Sequence, residues 1–184
     1  MTPDREIIRF NALRNALYHT ARRRWFERLN RFFNFLVVVL GATAVGDFLA
    51  AASYGQAYLG LAVAIIGSLQ LVFDFGGNAR VHQTLQREYY YLLADIEAKI
   101  DPSDDELANW QGRMVRITAD EPPMLKALDA KAYNDALDAL ETFDQGERLV
   151  VPFWHWVFGW LFPFDGRRYD KISEIEAKRA AKAT

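Results

Sequence analysis

The sequence predicts an all-α membrane protein: a two-helix transmembrane hairpin extended into a cytoplasmic helical bundle. Three observations predict it. From Phe32 to Phe73 there is no lysine or arginine, and the one full charge is Asp47. That run breaks once, at the polar, glycine-containing Ser53-Tyr54-Gly55-Gln56. On both sides of it, apolar residues recur at steps of three and four, the period of amphipathic helices.

The break divides the apolar run into spans of about 32–53 and 57–75. Each is about 20 residues, the length that crosses a ~30 Å hydrocarbon core. A buried soluble hairpin would need large apolar faces elsewhere to cover two helices that are apolar all round, and the rest of the chain offers only amphipathic stripes. The flanks set the orientation. Arg22, Arg23, Arg24, Arg28 and Arg31 precede the first span, Arg80 and Arg87 follow the second, and the turn carries no base. Positive-inside reasoning predicts a multi-pass protein of the inner (cytoplasmic) membrane with both termini in the cytoplasm. No signal peptide is expected, because the first apolar run begins only at Phe32.

Small residues mark candidate helix-packing faces: Ala42 and Gly46 in the first span, and Gly60, Ala64 and Gly67 beside Ser68 in the second. They suit either the hairpin itself or contacts between subunits. Asp47 has two readings. It lies near the outer end of a short first span within reach of interfacial water, or it faces a pore or subunit interface, where intramembrane carboxylates are usually found. Asp74 is expected at the inner interface.

The N-terminal segment, 1–31, reads as a basic amphipathic helix beginning after Thr2-Pro3-Asp4. Phe10, Leu13, Leu17, Ala21, Trp25, Leu29 and Phe32 form its stripe. With no glycine or proline between Pro3 and Gly41, it is expected to run unbroken into the membrane. Eight arginines stand against Asp4, Glu6 and Glu27 in this segment, a net charge of +5. The Arg22-Arg23-Arg24 cluster beside Trp25 suits lipid headgroups, and its place ahead of a span accounts for it without nucleic acid.

The cytoplasmic helical segment, 79–146, is expected after a break at Gly76-Gly77-Asn78. Val81, Leu85, Tyr89, Leu92, Ile96 and Ile100 form a near-heptad seam suited to packing on the N-terminal helix. Asp101-Pro102 ends it. Ser103 and Glu106 form a capping box for a helix holding Trp110, Met114 and Ile117. Asp120-Glu121-Pro122-Pro123 stops that helix and starts the next, whose face is Leu125, Leu128, Ala132, Ala136 and Leu140. Residues 101–146 carry eleven acids against four bases, a net of −7, which suits water or a basic partner.

The stretch 149–166 is dense in aromatics, with Trp154, Trp156 and Trp160 and four phenylalanines between Leu149 and Phe164. Bounded by Arg148 and by Arg167-Arg168, it suits an interfacial helix. A subunit-packing element and a re-entrant or spanning segment are the alternatives. His155 reads as an interfacial polar tip. The tail, 167–184, is charged, alanine-rich and expected to form a loose helix.

No catalytic constellation stands out. The chain has no cysteine, so disulfides, thiolate metal sites and thiol nucleophiles are excluded. His19, His82 and His155 lack metal-ligand spacing. There is no phosphate-binding glycine loop, nucleophile elbow or nucleotide fingerprint. No enzymatic activity, cofactor or metal is expected.

Asn15-Ala16-Leu17-Tyr18-His19, Ala21-Arg22-Arg23-Arg24 and Asn30-Arg31 precede the first span, and Asp120-Glu121-Pro122-Pro123, Leu128-Asp129 and Asn134 follow the second. With this order of elements, the chain resembles the SLATT family over roughly residues 5–145. These are two-transmembrane effector domains (SMODS/SLOG-associating) of bacterial conflict systems built on nucleotide second messengers. The aromatic block has no counterpart in that pattern. The resemblance implies a homo-oligomer that opens a pore and causes cell suicide when a sensor or regulator is activated, with no catalytic residue to carry over. Two other functions fit the residues: a membrane-anchored scaffold or adaptor for a cytoplasmic partner, and a lipid-organising assembly.

Overall fold

The computed structural model describes residues 4–45, 53–140 and 144–183. The fold is all-helical: α1 Arg5–Val45, α2 Ser53–Phe73, α3 Phe75–Glu97, α4 Asp104–Ala119, α5 Lys126–Ala139, α6 Phe153–Phe158 and α7 Ile172–Ala183. Two compact units emerge, one of Met1–Ala21 with Gln83–Thr184, the other of Arg22–His82.

In the first unit α1 has two buried faces. Ile8, Ala12 and Ala16 pack with Leu85, Tyr89, Leu92 and Ile96 of α3 and with Trp110, Met114 and Ile117 of α4. Phe10, with Leu13 and Leu17 beside it, packs on Ala136, Leu137 and Leu140 from the α5 side. The expected stripe of α1 accounts for the second face. The first is built on alanines, which let α3 and α4 approach closely. The α3 seam holds from Leu85 to Ile96, whereas its expected ends do not: Val81 is half exposed and Ile100 is 89% exposed. His82, one residue further round the helix than Val81, is buried in the second unit.

The capping box forms as read. Ser103 Oγ accepts from the Glu106 N–H at 3.4 Å, and Glu106 accepts from the Ser103 N–H at 2.9 Å. Pro122 and Pro123 do not sit in the first turn of α5. They lie in an extended lead ahead of it, and the helix begins at Lys126 with Leu125 as its cap. Its end is earlier than expected as well, at Ala139. After a 3₁₀ turn at Gln145–Glu147, Leu149 pairs with Lys171 in an isolated antiparallel bridge. The Val150 N–H donates to Asp170 O (3.0 Å) and the Ile172 N–H to Arg148 O (2.9 Å). This pairing ties the tail to the start of the aromatic block.

In the second unit, α1 runs unbroken to Val45. Ser53–Gln56, read as the turn of the hairpin, is instead the first turn of α2. Gly76-Gly77-Asn78 is likewise helical, within α3. The irregular residue is Asp74, at φ 35°, a left-handed conformation that aspartate tolerates better than most side chains. Hydrogen bonds continue through it, from Asp74 N–H to Gln70 O (3.0 Å) and from Asn78 N–H to Asp74 O (2.9 Å). Its carboxylate accepts from the Gly77 N–H at 2.9 Å and so caps α3. Asn78 Nδ2 donates to the carbonyls of Phe73 (2.9 Å) and Asp74 (3.1 Å), which serves the end of α2. Gly77 is needed because a Cβ there would lie 1.9 Å from Asp74 Oδ2.

Candidate functional site: the apolar helices and the motif residues

The second unit presents an apolar surface with little cover. Tyr58–Glu97 is one helical run long and apolar enough to cross a membrane, with a mean hydropathy of 1.8 in its best window and none of that window buried. Leu71 is 84% exposed, and Phe32, Phe35, Val38, Leu61 and Ile65 are exposed too. A soluble protein rarely leaves such a surface open. Between α1 and α2 one polar clasp stands out: Gln70 Nε2 donates to Asn34 Oδ1 at 2.8 Å. In an apolar medium that bond satisfies two amides that could find no water.

Gly60, Ala64 and Gly67 are exposed. A Cβ at Gly60 or Gly67 would meet nothing within 4 Å. Among the described residues, none packs on this row. Gly46 and Asp47 lie outside the described residues.

The arginines divide into two sets. In the first unit Arg9 Nη1 meets Glu6 at 3.1 Å, and Arg14 forks onto Asp129, with Nε at 2.8 Å from Oδ1. The +5 of residues 1–31 is thus partly spent inside the protein. In the second unit Arg24, Arg28 and Arg31 are exposed, Arg23 Nε reaches Glu27 at 2.8 Å, and Arg22 lies over the Phe26 ring at 4.5 Å. Trp25 is half-buried, and Phe26 stacks on His82 at 5.6 Å.

Of the residues that carry the resemblance, Tyr18, His19, Glu121, Asp129 and Asn134 lie in the first unit and act there as structural ties, whereas Arg22, Arg23, Arg24, Asn30 and Arg31 lie in the second. Tyr18 Oη accepts from the Leu125 N–H at 3.0 Å. Buried His19 stacks on Tyr89 at 5.7 Å and places Nε2 3.2 Å from Glu121 Oε1. Tyr89 Oη also donates to Glu121 and lies 2.9 Å from Thr118 Oγ1. Burial, and then the Glu121 carboxylate, hold the Tyr89 phenol well above its ordinary range. Asn134 pairs with the backbone of Leu149 in both directions, at 2.8 and 2.9 Å. Beside this network lies a cleft of about 480 Å³, lined by Asn11, Arg14, Asn15, Gln111, Met114 and Thr118 among others. Nothing in the spacing of the sequence had pointed to it.

The aromatic block folds as the short helix α6 and a returning loop. Trp154 and Trp156 are exposed. Trp160, read with them as an interface residue, is instead half-buried against Tyr18, Leu128 and Ala132. His155 is no free tip either: Nδ1 lies 2.9 Å from Tyr169 Oη and its ring stacks on Phe164 at 4.1 Å. Among the described residues no group of three or more histidines and carboxylates is placed to hold a metal ion.

Compared with protein-family models, with curated proteins and with solved structures, the chain finds no match in any of the three.

Proposed function

We propose that this protein is a homo-oligomeric membrane effector that perturbs the bilayer, by forming a pore, as its resemblance to SLATT proteins implies. The observation that carries this reading is the uncovered apolar surface of α2 and of the second half of α1. In this reading both helices span the inner membrane, with the Arg22–Arg31 collar at the cytoplasmic face and both termini inside. Two spans cannot enclose a lumen, so a pore requires several copies. The outward row Gly60–Ala64–Gly67 supports close contact between α2 helices of neighbouring copies. Asp47 is the residue to test in the lumen. The trigger is a sensor or regulator protein, or a small molecule bound to the helical bundle. The alternative is a membrane-anchored scaffold, whose mark is stable membrane residence without ion leakage.

The test is membrane potential and viability after induction of this chain in bacteria, beside a copy lacking residues 32–75. Rapid depolarisation that needs the hairpin supports the effector. Asp47→Asn should then alter conductance or cation preference. Intact potential with abundant membrane-bound protein, persisting when candidate triggers are co-expressed, favours the scaffold.

A further inference from the structure

The aromatic block is a built surface that no part of its own unit covers. Phe153 is 67% exposed, Trp154 65% and Trp156 54%, and Phe158, Leu161 and Phe162 are exposed beside them. The rings are contiguous. Phe153 meets Trp154 at 5.4 Å, Trp154 meets Phe158 at 5.9 Å, and Phe158 meets Phe162 at 6.2 Å. Scattered exposed apolar residues are ordinary, but a joined row is not.

The row is also held rigidly. Gly159 is buried, and a Cβ there would lie 2.7 Å from Ala127 Cβ and 2.5 Å from His155 O, so the block sits directly on α5. The Lys126 N–H donates to Pro163 O at 3.0 Å. Trp160 is the inward root. A loop that had merely failed to bury its aromatics would not be pinned at both ends with its rings outward.

The surroundings are basic. Lys131 Nζ lies 5.3 Å from the Trp156 ring centre and 5.7 Å from that of Trp160. Arg167 follows the block and is exposed, as is Lys126; Arg168 is exposed too but pairs with Glu174 at 2.6 Å, and the block's own stretch adds one acid, Asp165. Lysine is depleted from the cores of protein interfaces, where its ammonium would have to shed water. Lipid headgroups offer that ammonium a phosphate while the rings enter the acyl boundary. We infer that Phe153–Phe162 is a preformed plate by which the first unit docks on an anionic lipid surface. This is a membrane contact separate from the hairpin, and it rests on the membrane reading only in requiring a bilayer within reach.

The chain has no cysteine, so single labels can be placed without removing any native thiol. Phe153→Cys and Phe162→Cys take nitroxide labels at exposed plate positions. Leu71→Cys reports the hairpin, and Val115→Cys, exposed on α4, reports water. The full chain is reconstituted in vesicles of phosphatidylcholine with phosphatidylglycerol. Collision with oxygen, which concentrates in lipid, is compared with collision with a water-soluble nickel chelate. The plate labels should be oxygen-favoured like position 71 and unlike position 115. Lys131→Glu with Arg167→Glu should raise chelate access at 153 and 162 several-fold and leave 71 unchanged. Chelate-accessible plate labels beside an oxygen-favoured label at 71 overturn the plate and leave the hairpin standing. Plate labels shielded from both reagents, with spin–spin broadening between copies, also overturn it, since a second copy then covers the face. Chelate access at 71 removes the spanning hairpin, and the labels at 153 and 162 still decide the plate.

Discussion

At the scale of single residues, two ties make predictions whose signs are not obvious from composition. Gly77 lies inside α3, where alanine would ordinarily stabilise by ~0.5–1 kcal/mol through helix propensity. Here the Asp74 carboxylate occupies the place of the Cβ. Gly77→Ala must displace it and uncouple the α3 cap, a loss of about 1 kcal/mol. With Asp74→Gly in the background, the cap is already gone and Gly77→Ala should turn stabilising. Thermal unfolding of the four variants in detergent measures this. A stabilising Gly77→Ala in the native background would show that the cap contributes nothing. The second tie is the Arg14–Asp129 fork, with side chains 27% and 10% exposed. Breaking a fully buried pair costs about 3–5 kcal/mol, and the water still reaching Arg14 lowers this to about 2 kcal/mol. Arg14→Met should therefore destabilise by that amount, while Arg14→Met with Asp129→Leu should recover most of it. Equal losses in the single and double variants would show that no stranded charge was involved.

At the scale of elements, the helices were legible where large apolar residues set the period, and illegible where small or polar residues did the packing. Leu85, Tyr89, Leu92 and Ile96 announced the α3 seam. Ile8, Ala12, Ala16 and His19 gave no comparable signal, because alanine reads the same on a buried and an exposed face. The break was expected at Gly76-Gly77-Asn78 and lies at Asp74, because glycine pairs are the stronger punctuation, and here the glycine at 77 serves a cap instead of a break. The Leu149–Lys171 bridge joins segments whose local sequence shows no strand pattern. Of the candidate site, the apolar character of α2 and the density of aromatics at 149–164 were legible from composition. The inward Trp160 was not, since its burial depends on α1 and α5 residues distant in sequence. The Ser103–Glu106 box was read from four residues, and it carries a pH prediction. Lys99, and then the Ser103 backbone N–H, hold the Glu106 carboxyl below its ordinary value of 4.5. A depressed carboxylate contributes stability that is complete above that ordinary value and is lost as pH falls through the lower, folded one. Unfolding followed by circular dichroism should thus become easier as pH drops below about 4.5, and Lys99→Ala, which removes the larger of the two causes, should flatten that dependence. An unchanged slope in Ser103→Ala with Lys99→Ala would place the acid sensitivity elsewhere.

At the scale of the whole molecule, the charge imbalance read along the sequence is partly resolved within the fold. Arg14 meets Asp129, Lys99 meets Glu106 and Arg148 meets Asp138, so the acidic segment 101–146 offers a basic partner less than its net charge implies. What stays unsatisfied is apolar: the exposed surface of α2, with its small-residue row. That row gives a clean probe of assembly, because a Cβ added at Gly60 or Gly67 meets nothing within 4 Å outside its own helix backbone. Gly60→Leu with Gly67→Leu should leave helicity unchanged and, by helix propensity, slightly favour α2. In lipid, association depends on close packing in place of a hydrophobic drive, so two leucines at such a face should separate the copies. The expected result is native helicity, loss of oligomers in native nanodiscs, and loss of depolarisation in cells. Oligomers that persist with full depolarisation would move the subunit contact to another face. Depolarisation that persists in a variant shown to be monomeric would defeat the pore, since one hairpin has no lumen to conduct through.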